Sequence, residues 1–196
     1  MSVREDILAR VRRNRPAGDH PLPAIPHFVA QGAAQSRFET FSRVLRAMGG
    51  RLCRSSEISS PLAWIREHIP DSNIICSAVP EVPSDRAWSA VRKPQDLADV
   101  DVAVVRAVLG VAESGSVLFT EAELKVNTLA YLAQHLVVLL RESVIVPGLQ
   151  DAYTHPVFAT ARYAVFHMGP SATADIEGVL IHGAQGVRSL TVIVDG

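Results

Sequence analysis

Two stretches of the chain set apolar residues at helical spacing directly behind a capping signal. Ser2-x-x-Glu5 precedes Ile7, Leu8 and Val11, and Ser36-x-x-Glu39 leads into Phe38, Phe41, Val44, Leu45 and Met48. In each, the serine hydroxyl can accept an N–H of the first turn while the glutamate answers the serine backbone, so both predict helix starts. The first helix must stop before Pro16, and the second closes in Gly49-Gly50. Pro61 behind Ser60 suits the first position of a third helix, which carries Leu62 and Ile65 inward until Pro70 ends it. Between these lie short apolar, β-branched runs at residues 51–54, 73–78, 102–111, 117–120, 135–140, 163–168 and 190–194, each predicting a strand. Residues 129–133 predict a short helix, and Ser143 predicts the cap of another containing Ile145 and Leu149. Residues 79–100, with Pro80, Pro83, Trp88 and Pro94, show no sustained period. Alternating short strands and helices predict an α/β sandwich with a largely parallel sheet.

Composition narrows what such a fold would do. The chain has 196 residues, 48% hydrophobic and 20% charged, which suffices for one buried core and requires no second. Four prolines between Pro16 and Pro26 mark an arm, so residues 1–34 read as a helix plus Pro-rich arm and 35–196 as the domain. A formal net charge of −1 gives no electrostatic case for nucleic acid. The local cluster Arg10, Arg12, Arg13 and Arg15 reads by default as a solvated helix face. No apolar run reaches the roughly 20 residues of a membrane span, and the first residues lack the apolar core of a secretion signal, so a cytoplasmic protein is expected. Only Cys53 and Cys76 are present, too few to ligate an iron–sulfur cluster. No His-x-x-x-His pair or carboxylate pattern suggests a metal cage, so no metal and no cofactor are expected in this chain.

The densest chemistry lies at residues 169–183, Gly-Pro-Ser-Ala-Thr-Ala-Asp-Ile-Glu-Gly-Val-Leu-Ile-His-Gly. Gly169 and Pro170 set a turn after an apolar strand, and Ser171 and Thr173 are positioned to cap a following helix, with Asp175 and Glu177 in its first turn. Such a turn in an open α/β sheet is expected at the carboxyl ends of the strands, where ligands bind. The plainer reading is a well-capped helix without chemistry. Glu113 stands between an apolar strand and Gly115, as a general base, a nucleophile or a ligand-orienting group, or else as a turn carboxylate accepting backbone N–H bonds. Ser114 and Ser116 flank Gly115 with hydroxyls able to bind an oxyanion or to serve the backbone. His135 opens a strand; His155, His167 and His182 are scattered.

The string Gly169-Pro-Ser-x-Thr-Ala-Asp-Ile-Glu177, followed by Gly183-x-x-Gly186 and an apolar strand, resembles the end of the LUD domain, and more narrowly the lactate-utilisation protein C family. Gly110-Val-Ala-Glu-Ser-Gly-Ser-Val-Leu118 resembles that family's (Gly/Ala)-Ile-Ala-Glu-Thr-Gly-Thr segment, and residues 41–52 and 136–152 fit its order. The resemblance implies a three-layer α/β/α sandwich of the group shared with glucosamine-6-phosphate deaminase, ribose-5-phosphate isomerase and CoA transferases. It also implies lactate oxidation as the setting: a non-redox subunit in a protein complex with two iron–sulfur partners that turns L-lactate into pyruvate, binding a small organic acid or scaffolding the complex. The alternative is a stand-alone sugar-phosphate isomerase or acyl/CoA-transferase-like enzyme using Glu113. Candidate ligand-binding residues are Glu113, Ser114, Gly115, Ser116, His135, Gly169, Ser171, Thr173 and Asp175, with Glu113 the best catalytic candidate. The chain departs from the family pattern at Ala172, where arginine is common, and at Gln185 and Val187, where histidine and proline are frequent. Lys125 alone could replace a second customary cation, so anion recognition at this corner is weakened.

Overall fold

The computed structural model describes residues 2–21, 23–26, 36–174, 177–182 and 185–196. Its helices are α1 (Val3–Arg13), α2 (Arg37–Ala47), α3 (Pro61–His68), α4 (Glu121–Leu124), α5 (Leu129–Leu132) and α6 (Leu149–Tyr153). Its strands are β1 (Arg51–Arg54), β2 (Ile75–Ser77), β3 (Val102–Arg106), β4 (Leu109–Val111), β5 (Ser116–Thr120), β6 (His135–Arg141), β7 (Ile145–Val146), β8 (Ala164–His167), β9 (Ala172–Thr173), β10 (Ile181–His182) and β11 (Ser189–Asp195).

A five-stranded sheet runs in the order β1-β11-β6-β3-β2, with every neighbouring pair parallel. Side chains of successive strand residues point to opposite faces, and the apolar residues sort accordingly. Ala103, Val105, Leu136, Val138, Leu140, Leu190, Val192 and Val194 pack with Phe41 and Leu45 of α2. Val102, Val104, Val137, Leu139 and Ile193 pack on the other face with Trp64 and Ile65 of α3. Strands apolar on both faces are what a parallel sheet covered on both sides requires. A second, four-stranded sheet, β7-β4-β5-β8, lays Val117 and Phe119 onto the α2 side of that core. Its far face, with Leu109, Val111 and Leu118, is closed by Ala152 of α6. The result is the expected α/β architecture, a mostly parallel sheet flanked by helices, with a mixed sheet added on one side.

Local signals folded as the sequence predicts where they are self-contained. Ser36 accepts the Glu39 N–H at 3.1 Å while Glu39 accepts the Ser36 N–H at 2.8 Å, and Ser60 caps α3 ahead of Pro61. The same box opens α1, but no residue of α1 is buried, and Val3, Ile7 and Val11 are exposed. The expected boundary at residues 34 and 35 lies outside the described residues.

Three expectations are corrected. Residues 102–111 form two strands rather than one: the Ala107 N–H donates to Leu139 O in the parallel sheet, and the next N–H, of Val108, donates to Leu118 O in the second. Ser143 caps no helix; it lies in a 3-10 turn (Glu142–Val144) and Ile145 enters β7. The helix there begins at Leu149, with Asp151 accepting the Gly148 N–H at 3.0 Å. Residues 171–182 form no helix among those described. β9 and β10 pair antiparallel, with Ile181 opposite Thr173 and His182 opposite Ala172. Glu177 and Gly178 have φ of 53° and 70°, two successive left-handed residues of the kind that turn a hairpin.

Candidate functional site

The last turns of α2 are the seat on which the two suspected corners meet. Gly115 has φ 65°, and a Cβ there would lie 2.5 Å from the Leu45 N and 2.7 Å from its Cα. Gly169 has φ 69°, and a Cβ there would lie 2.2 Å from the Met48 carbonyl oxygen. Both positions need glycine twice over, for the backbone angle and for the approach of another backbone. The antiparallel register of β5 with β8, Val117 opposite His167, carries the chain into these two glycines side by side. The Glu113–Ser116 turn and the Gly169 turn are thus neighbours in space.

The side chains at these corners do not aim at one point. A Glu113 carboxylate oxygen accepts the Leu149 N–H at 3.0 Å at the start of α6, while its own N–H donates to Pro147 O. Glu113 is exposed and ties a loop to a helix start. The Ser114 and Ser116 hydroxyls bond one another at 2.7 Å. Ser171 is half-buried; its N–H donates to Val187 O at 2.9 Å, and its Oγ would lie 3.5 Å from a Cβ at Gly186. Thr173 sits in β9, and Asp175 lies outside the described residues, as does Gly183. Because the described part of this stretch is a hairpin, the helix-start anion site expected from Ser171 and Thr173 is not formed.

The Gly169 corner is also at the other edge of the sheet from the one predicted. It follows β8, a strand of the second sheet, and it rests against the segment that enters β11. The Arg188 N–H donates to Gln134 O just ahead of β6, so the Ser171–Val187 bond lies at the amino ends of β6 and β11. The rule placing ligands at carboxyl ends does not govern a corner reached from a different sheet.

His135 stands at that amino edge, its Nδ1 2.8 Å from Ser189 Oγ in the neighbouring strand. Burial first, and then the positive charge of Arg188 and Arg51, hold its imidazole below the usual histidine range, against an opposing pull from Asp101. Asp101 is itself occupied, accepting the N–H groups of Asn73 and Ile74 at 2.8 and 2.9 Å. At neutral pH this edge therefore presents a neutral imidazole and a hydroxyl beside two guanidiniums. That combination can hydrogen-bond and hold an anion. Lys125, the one replacement cation foreseen, is turned elsewhere, with Nζ 5.9 Å from the Trp88 ring centroid.

A cluster that sequence reasoning passed over lies between the two sheets. His167 faces Phe119 and Tyr131 edge-on, with centroids 5.9 and 5.2 Å away. Burial lowers its pKa. Tyr131 and Tyr163 share a 2.5 Å hydrogen bond, and burial, then that bond, push the Tyr131 hydroxyl up so that it stays protonated. His167 reads as one polar residue in an apolar run, and nothing local separates it from a core histidine. Among the described residues no three His, Cys, Asp or Glu side chains converge as metal ligands would.

The parallel sheet with its flanking helices and its glycine-seated corners defines an α/β domain. The LUD domain model matches residues 41–194, and the chain belongs to the LUD-domain family. It is 32% identical over 113 residues to Lactate utilization protein C of Geobacillus sp. (strain WCH70), a match spanning 54% of this chain and 47% of that protein. The chain thus matches about half the length of that curated relative. Its fold is similar to the crystal structure of a DUF162 family protein from Deinococcus radiodurans, with a TM-score of 0.61 at 16% identity, covering 83% of this chain and 99% of that one.

Proposed function

We propose that this chain is a non-redox component of a lactate-utilisation system, working beside iron–sulfur subunits that oxidise L-lactate to pyruvate. The observation that carries the reading is the LUD domain over residues 41–194, joined to the likeness to a lactate utilisation protein C. The cysteines support the division of labour. Cys53 lies on β1 and Cys76 on β2, the opposite edges of the five-stranded sheet, so four strand spacings of about 4.8 Å put them roughly 19 Å apart. Burial, and for Cys53 the charge of Glu57, raise both thiol pKa values, which disfavours thiolate ligation. Two separated, protonated thiols are poor ligands for a shared cluster, which supports placing the electron carriers in partner chains in this reading.

In this reading the domain binds a small organic acid or scaffolds the complex, through the α2-seated corners and the His135 edge. The Arg188 and Arg51 guanidiniums beside the Ser189 hydroxyl suit a carboxylate. The stand-alone enzyme has less support, because the Glu113 carboxylate already accepts a backbone N–H. The test is affinity purification of the tagged full chain from lactate-grown cells. Iron–sulfur proteins should co-purify in stoichiometric amounts; recovery of the chain alone, folded and free, would refute the assembly.

A further inference from the structure

A pocket of about 400 Å³ opens where the edge strand β1 meets α3, on the face of the parallel sheet away from α2. Arg46 from the last turn of α2, Arg51 and Cys53 from β1, Trp64 and His68 from α3, and Thr191 from β11 line it. The register places Arg51 directly beside Thr191, and alternation along both strands turns these residues to the same face. None belongs to the corners or to the Glu113 turn.

The pocket is built, yet among the described residues its two guanidiniums and its threonine hydroxyl are unspent. Thr191 is 1% exposed and its hydroxyl has no hydrogen-bond partner. A buried hydroxyl left without a partner is destabilising, so such groups are retained where something satisfies them. Neither the Arg46 nor the Arg51 guanidinium has a hydrogen bond or ion pair among the described residues, while Arg54, Arg66, Arg86 and Arg106 all pair with carboxylates. Glu57, whose charge acts on Cys53, accepts the Arg54 backbone N–H. His68 stacks on Trp64 at 4.5 Å and 10°, with its Nδ1 3.1 Å from Trp64 O, which fixes a flat apolar wall.

We infer that this pocket binds a small phosphate-bearing molecule, its phosphate held by Arg46, Arg51 and the Thr191 hydroxyl and its organic part against the Trp64–His68 stack. Guanidiniums pair bidentately with phosphate or carboxylate, and the number of donors decides between them. Two forks and a hydroxyl match the three free oxygens of a phosphate monoester and exceed what one carboxylate can accept. The volume lies in the range of small-molecule sites, so the ligand is metabolite-sized. The inference does not depend on the lactate reading: it shares only Arg51 with the His135 edge, and its test needs no partner protein.

The test uses the intact purified chain and inorganic phosphate as probe, against chloride at equal ionic strength, with L-lactate and acetate as carboxylate arms. Phosphate should raise the melting temperature and give saturable heat in calorimetry. Arg46→Gln and Arg51→Gln, both at exposed residues, should each weaken binding about tenfold, as loss of a charge-assisted pair does. Thr191→Val should weaken it several-fold while leaving the phosphate-free protein as stable as before or more so, because the unpartnered hydroxyl is gone. That opposed pair of effects is one a structural threonine would not show. No shift beyond chloride, or a shift that survives in the double arginine variant, would overturn the site. Equal binding of acetate or lactate would overturn the assignment to phosphate.

Discussion

Replacing Gly169 by alanine tests whether the corner is held on α2 as described. The substitution adds one methyl group and does two things. It forces a residue with Cβ into a φ of 69°, and it drives that Cβ to 2.2 Å from the Met48 carbonyl oxygen. The left-handed angle alone costs about 1–2 kcal/mol. The clash is with backbone, which cannot swing aside like a side-chain tip, and overpacking of that kind adds about 1–3 kcal/mol. Gly178 provides the internal control: its φ is 70°, nearly the same, but nothing lies within 4 Å of a Cβ there. Gly178→Ala should therefore show the backbone cost alone. In a domain of this length about 1 kcal/mol corresponds to roughly 2–4 °C in Tm. With a difference of about 2 kcal/mol, Gly169→Ala should melt roughly 4–8 °C below Gly178→Ala, with urea midpoints in the same order. Equal losses in the two variants would mean that the corner does not rest on the Met48 carbonyl, and the placement of the site would fall with it.

Other consequences follow from the same geometry. Ser36→Ala removes the side-chain half of the α2 capping box, the Glu39 N–H to Ser36 Oγ bond, and should cost about 1 kcal/mol, read as a lower urea midpoint at an unchanged slope. His135 and His167 both have pKa values held below 6.5, chiefly by burial, so below that pH the unfolded chain binds protons that the folded chain refuses. Stability should therefore fall as pH drops from 7 through about 6.5 towards 5, and His167→Gln should flatten the Tm–pH curve in that window; an unchanged slope would contradict the burial of this imidazole. Glu113→Gln keeps an oxygen for the Leu149 N–H, so Tm should move by less than about 2 °C, within the range of surface substitutions, and lactate-dependent growth should persist. Loss of growth with an intact fold would restore Glu113 as a reacting group.

What could be read from the sequence was what local physics decides. The Ser36–Glu39 box, Pro61 behind Ser60, and the apolar runs of β6 and β11 each fix their element within a few residues, and the structure follows them. The break at Ala107-Val108 carries no such mark. Arg106 alone interrupts the apolar run just ahead of it, and no Gly or Pro stands at the break itself, because both sheets bury their strands on either side; only the choice of partner changes. The hairpin at β9 and β10 was misread because Ser171, Thr173 and Glu177 are good helix-start residues and the stretch had no tertiary context. The Glu177-Gly178 pair, before the apolar run 179–181, is the signal that argues for a turn instead. The corners themselves were legible as glycines beside polar residues. Their meeting on α2 was not, since it depends on the antiparallel register of β5 and β8. The pocket at Arg46 and Arg51 was invisible for a similar reason: its residues come from positions 46 to 191 and share no motif.

The most direct test of the account is growth on L-lactate as sole carbon source after deletion of this chain, with complementation by the wild type and by a Cys53→Ser, Cys76→Ala variant shown to fold. The account predicts that deletion abolishes growth on lactate but not on pyruvate, and that both complementing chains restore it, because the cysteines carry no cluster. Undiminished growth of the deletion strain on lactate would contradict the lactate role. Failure of the folded cysteine-free chain to restore growth would contradict the division of labour.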